Sequence, residues 1–115
     1  MERRIVAMDR RKQGQKLEEF VAARLREALK DNSIHPTKAS GASTQLGDIL
    51  CSHFLVECKQ RTTKDITIKE DVWNKLVAEL PLGSVRTPLY VLENKNKKRW
   101  VVLDAEDFFN LIKEI

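Results

Sequence analysis

The chain has 115 residues, 42% hydrophobic and 33% charged, which is one domain's length and excludes both a disordered tail and a membrane protein. Lys and Arg total 21 against 17 Asp and Glu, a net +4 that permits a nucleic-acid partner without requiring one. No apolar run approaches the ~18 residues of a membrane helix, and the patch at Ile5–Met8 is shorter than the ~7 residues of a secretory signal. A cytoplasmic protein is the expectation. In it Cys51 and Cys58, whose spacing fits no zinc pattern, read as small apolar residues, with a disulfide as the lesser alternative.

The elements follow in chain order. Residues 1–16 carry six positive and two negative side chains, so the whole net charge can be assigned to this segment. A basic arm over about 1–12, with Arg10, Arg11 and Lys12, either grips phosphates or is a solvated tail. A helix is predicted from Asp9 to Lys30, because Leu17, Phe20, Val21, Leu25, Ala28 and Leu29 fall close to a 3.6-residue period. Asp31-Asn32-Ser33 stops it. A strand interrupted at Pro36 spans Ser33–Ser40, and Ser40–Gln45 is a small, polar loop. Asp48–Cys51 and Phe54–Gln60 are strands separated by Ser52-His53, a hairpin. Thr67-Ile68-Lys69-Glu70 has the form of a capping box, starting a helix to Leu80 that buries Val72, Trp73, Leu76, Val77 and Leu80. Leu89–Leu92 and Trp100–Leu103 are strands joined by a lysine-rich tip. Asp104 then caps a last helix with Phe108, Phe109, Leu111, Ile112 and Ile115 on it. The order is α-β-β-β-α-β-β-α, one mixed α/β domain over 1–115 with a central sheet flanked by helices.

One constellation carries chemistry. Glu57 and Lys59 are two apart on a strand, so both leave the same face about 6.7 Å apart. The hairpin centre at Ser52-His53 brings Asp48 beside Glu57 on the neighbouring strand. Two carboxylates ~5 Å apart repel by roughly 3 kcal/mol at an effective dielectric of ~20. Lys59 supplies one compensating charge. A divalent cation supplies two, and oxygen donors suit Mg²⁺, with Mn²⁺ as a substitute. The alternative is a structural Glu57–Lys59 pair with Asp48 as a turn residue. Gly47 permits close backbone approach before Asp48. His35 and His53 are isolated and read as solvent-facing turn residues, Trp73 reads as core and Trp100 as core or dimer interface. Arg61 and Lys64 either contact phosphate or belong to a solvated loop.

With Asp48 at the start of one strand and Glu57-Cys58-Lys59 on the next, the sequence resembles the PD-(D/E)XK nuclease superfamily, Gly47 standing where its signature has Pro. Within it the chain is most similar to the small archaeal-type Holliday junction resolvases and their phage relatives. The shared features are Gly14-x-x-x-Glu18 on the first helix, Ser40-Gly41 before the Asp, and a Trp on the last strand pair, here Trp100. The resemblance runs from Gly14 to about Leu103. It implies a restriction-endonuclease-like fold and a Mg²⁺-dependent endonuclease that resolves four-way DNA junctions by paired nicks, as a homodimer. It further implies that Asp48, Glu57 and the Cys58 carbonyl ligate the metal, that Lys59 orients the attacking water, and that Glu18, with Glu19 as rival, reaches the site from the helix. Ser40 would touch substrate phosphate; Gln60, directly after the lysine, contacts either the site or phosphate, and Arg10, Arg11 and Lys12 on the arm are further candidates for phosphate. Another nuclease of the superfamily (restriction-type, flap or nicking), a non-catalytic basic nucleic-acid-binding module, and a protein-interaction domain are the alternatives.

Overall fold

The computed structural model describes the backbone of residues 2–37 and 47–115, and the side chains of those from Lys12 onward. The element order is α1 (Glu2–Leu29), β1 (His35–Pro36), β2 (Ile49–Leu50), β3 (Phe54–Gln60), α2 (Glu70–Ala78), β4 (Thr87–Glu93), β5 (Arg99–Val102) and α3 (Ala105–Ile112). This is the α/β order expected from the sequence.

Five strands form one sheet in the order β1-β2-β3-β4-β5. Only β3 and β4 pair in parallel; the other neighbours are antiparallel. A parallel pair needs a crossover, and α2 supplies it. The alternation along β3 divides the core. Val56 faces α1 and packs with Leu17, Val21, Ala22, Ile34, Ile49, Leu89 and Val91. Leu55 faces the other way and packs with Leu76 of α2, Tyr90 and Leu92. β3 is therefore apolar on both faces near its start and polar only at Glu57, Lys59 and Gln60. This is the pattern of a central strand whose C-terminal end meets solvent.

Several local expectations change. The first helix begins at Glu2 instead of Asp9, so the backbone of the basic arm is helical and continuous with α1. Gly14 does not break it; its roughly 1 kcal/mol cost is borne within a long helix whose later half is anchored by core contacts. Ala28, expected on the apolar face, is exposed. The capping box does not form. α2 starts at Glu70, its N-cap is Lys69, and no side chain caps it; Glu70 and Asp71 in the first turn act on the helix dipole instead. α2 ends at Ala78, and Val77, expected to be buried, is 42% exposed. Asp104 caps α3 as expected, accepting from the N–H groups of Glu106 and Asp107. Yet α3 buries no residue: Phe108, Phe109, Ile112 and Ile115 are all exposed. Trp100 is 37% exposed, which removes the core alternative for it. Trp73 is half-buried against Tyr90, their ring centroids 6.0 Å apart. His35 and His53 are exposed, and both cysteines are free thiols. Among the described residues no helix is long and apolar enough to cross a membrane.

Candidate functional site

Gly47 holds the entry to β2. Its φ is +74°, in the left-handed region, and a Cβ there would lie 2.7 Å from the Val56 carbonyl oxygen and 3.0 Å from Leu55 Cδ1. No other residue fits without displacing β3. The next residue, Asp48, is held from both sides. Its N–H donates to the Val56 carbonyl at 2.8 Å, and its carbonyl accepts from the Thr37 N–H at 2.9 Å. Thr37 also donates its hydroxyl to the Gly47 carbonyl at 2.8 Å. Thr37 was not singled out in the sequence, because nothing local links it to a residue ten positions on.

The hairpin register pairs Ile49 with Val56; Asp48 precedes β2, and its N–H meets β3 at the Val56 carbonyl, next to Glu57. Asp48 Oδ2 accepts the Cys58 N–H at 2.8 Å. β2 is too short to offer a backbone carbonyl to that group, and the carboxylate satisfies it instead. On the same strand, Lys59 Nζ lies 3.3 Å from Glu57 Oε1.

Glu18 approaches from α1. It is half-buried next to the core residue Leu17, whereas Glu19 is exposed, so the helix face favours Glu18 over its rival. Burial, then the charges of Asp48, Glu57 and Glu19, push the Glu18 carboxyl up to about 7. Burial and Asp48 also push the Glu57 carboxyl upward, while Lys59 opposes the rise. The Cys58 thiol is pushed well above its ordinary value by burial and then by Asp48, Glu18 and Glu57, which keeps it protonated and unreactive. Three carboxylates therefore share one neighbourhood, and the cation paired with them is Lys59.

This donor set is all oxygen and carries excess negative charge, which suits a hard divalent cation. Among the described residues, however, no group of three or more Asp, Glu, His or Cys already stands at metal-holding geometry. Lys59 Nζ pairs with Glu57, and one Asp48 oxygen accepts from the Cys58 N–H. A bound cation would compete with Lys59 for Glu57.

The expected substrate contacts are less assembled. Gln60 is half-buried, donates to the Arg61 carbonyl at 3.2 Å, and lines a hollow of about 320 Å³ with Gly14, Lys59 and Arg61. Lys12 is exposed on α1. Ser40 and the side chains of Arg10 and Arg11 lie outside the described residues. Comparison with models of known families, with curated proteins and with solved structures finds no match for this chain.

Proposed function

We propose that this chain is a Mg²⁺-dependent DNA endonuclease of the PD-(D/E)XK kind, acting on branched DNA such as four-way junctions. The observation that carries the reading is the Asp48 carboxylate held on the Cys58 N–H, between Glu57 and Lys59, with Lys59 paired to Glu57 and Glu18 approaching from α1. Asp48, Glu57 and the Cys58 carbonyl would hold the ion, and Mn²⁺ would substitute. Bound there, Mg²⁺ supplies Lewis-acid stabilisation of charge on the phosphate and a more acidic water.

The chain's own groups do the rest. Lys59 Nζ donates to the attacking water and offsets negative charge as it grows on the phosphate oxygens. A Glu18 carboxyl oxygen takes the proton that the water loses. The water oxygen bonds to phosphorus as the bond from phosphorus to the 3′ oxygen breaks, leaving a 5′-phosphate and a 3′ oxygen that takes a proton from solvent to become a hydroxyl. Symmetric nicking of a junction needs two such sites, so the working unit is a C2 homodimer in the cytoplasm.

A four-way junction and a matched linear duplex, each incubated with the protein in Mg²⁺ or in EDTA, test the reading. Mg²⁺-dependent cutting of the junction in preference to the duplex is expected. Equal cutting of both refutes the junction preference, and no cutting of either refutes the nuclease. The second reading, a non-catalytic basic module, draws on the existing Glu57–Lys59 pair, and it requires DNA binding without cutting.

A further inference from the structure

The α2 side of the sheet carries a groove that the chemistry above touches only at Lys59. Two troughs of about 470 and 580 Å³ share Asp65, Ile66, Ile68 and Leu92 and so adjoin. One end holds Lys59 and Tyr90, the other Lys98 and Trp100. Strand register sets the direction. Lys59 pairs with Leu92 on β4, and Leu92 pairs with Trp100 on β5. At about 4.8 Å per strand, the Trp100 backbone lies about 10 Å across the sheet from that of Lys59.

The floor is apolar and the rim is cationic. Arg61, Lys64, Lys69 and Lys98 are exposed along it, and Asp65 is the one carboxylate among the residues lining the two troughs. Trp100 is 37% exposed, with Lys98 Nζ 5.5 Å from its ring centroid. The wall is preformed. The Arg61 N–H donates to the Glu93 carbonyl at 2.8 Å and the Lys95 N–H to the Thr63 carbonyl at 3.0 Å. Asn94, 4% exposed, donates its amide to the Lys64 carbonyl at 2.9 Å and accepts from the Asn96 and Lys98 N–H groups, each at 2.9 Å.

An apolar floor with an open tryptophan suits base faces, and a row of cations suits the phosphates between them. A duplex keeps its base faces stacked inside; a single strand offers them. We propose that this groove binds a single strand of DNA leading away from the site at Lys59, with a base stacked on Trp100 and phosphates along Arg61, Lys64, Lys69 and Lys98. The direction of the strand rests on the nuclease reading. The proposal adds to that reading that the branched substrate presents unpaired nucleotides.

The test uses the full chain in EDTA, where nothing is cut. A short oligothymidylate and a blunt duplex are titrated while tryptophan emission is followed; Trp73 and Trp100 are the two emitters. The oligothymidylate quenches emission, and Trp100→Phe abolishes the quench while retaining binding. Trp100→Ala weakens the oligothymidylate about ten-fold and the duplex less than two-fold, as loss of one stacked base requires. Lys64→Ala with Lys98→Ala flattens the salt dependence of oligothymidylate binding by about 1.4 in log–log slope, and this readout does not depend on the tryptophan. A quench that survives Trp100→Phe overturns the proposal. So does equal weakening of oligothymidylate and duplex by Trp100→Ala, or emission that changes with protein concentration but not with oligothymidylate, the sign of a second copy covering Trp100. Cleavage in Mg²⁺ is scored separately. Oligothymidylate binding without any cutting refutes the nuclease and leaves the groove, while cutting that is indifferent to Trp100 does the reverse.

Discussion

Replacing Glu18 by Gln should stabilise the protein, but only where the carboxyl would be ionised. Its folded value of about 7 lies above the ordinary 4.5, because burial and the charges of Asp48 and Glu57 penalise the anion. At 1.36 kcal/mol per pH unit the full difference is roughly 3 kcal/mol, and solvent screening at a half-exposed carboxyl reduces it to about 1–2 kcal/mol. The sign follows from linkage. Above pH 7 both folded and unfolded chains are ionised and the folded one bears the whole penalty. Between pH 7 and 4.5 the folded chain takes up a proton first and the penalty fades. Below 4.5 both are protonated and none remains. Urea unfolding of wild type and Glu18→Gln at pH 8, 6 and 4.5, without divalent ions, reads this directly. The variant should be about 1–2 kcal/mol more stable at pH 8, less so at pH 6, and equal at pH 4.5. Added Mg²⁺ should shrink the difference at pH 8 by relieving the same repulsion. An equal effect at all three pH values would show that neither burial nor the charges of Asp48 and Glu57 raise the Glu18 carboxyl, and the reasoning would fail.

Three further outcomes follow from the packing around the site. Gly47→Ala should cost about 2–4 kcal/mol in urea unfolding, combining a left-handed backbone with a Cβ pressed against the Val56 carbonyl; a cost under 1 kcal/mol would mean that β2 and β3 move apart freely. Arg99→Leu should cost about 3 kcal/mol, because it leaves the Glu93 carboxylate, 4% exposed, without the Arg99 Nε it accepts from at 2.7 Å and removes the guanidinium that lies 4.1 Å from the Phe20 ring centroid. Glu93→Ala combined with Arg99→Leu should recover part of that loss in the same thermal or urea assay. Asn94→Ala should cost about 2 kcal/mol and raise hydrogen exchange at the Asn96 and Lys98 amides, which donate to the Asn94 side chain.

The order of all eight elements was legible because each carries a local signal: the 3.6-residue period in α1, the apolar run of β3, and the Asp104 cap of α3. The hairpin was legible from its turn: a centre at Ser52-His53 gives the observed Ile49–Val56 pairing, which brings Asp48 close to Glu57. What failed was local pattern without its backbone context. Thr67 and Glu70 have capping-box spacing, yet the chain turns into the helix only at Lys69. Phe108, Phe109 and Ile112 were read onto α3 and lie exposed on it, since nothing in one chain's sequence states whether an apolar face finds a partner within that chain. Contacts distant in sequence, such as Thr37 to Gly47 and Asn94 to Lys64, left no local trace at all. The groove beside Trp100 belongs with them, since it exists only once β3, β4 and β5 lie side by side and the 61–69 loop is pinned to Asn94.

The central claim is that Asp48 and Glu57 together hold a divalent cation, and calorimetric titration of the protein with Mn²⁺ tests it most directly. Wild type should give a saturable binding isotherm, weakened at least about ten-fold in Asp48→Asn with the fold intact by circular dichroism. No saturable heat in the wild type, or an unchanged isotherm in Asp48→Asn, would contradict it.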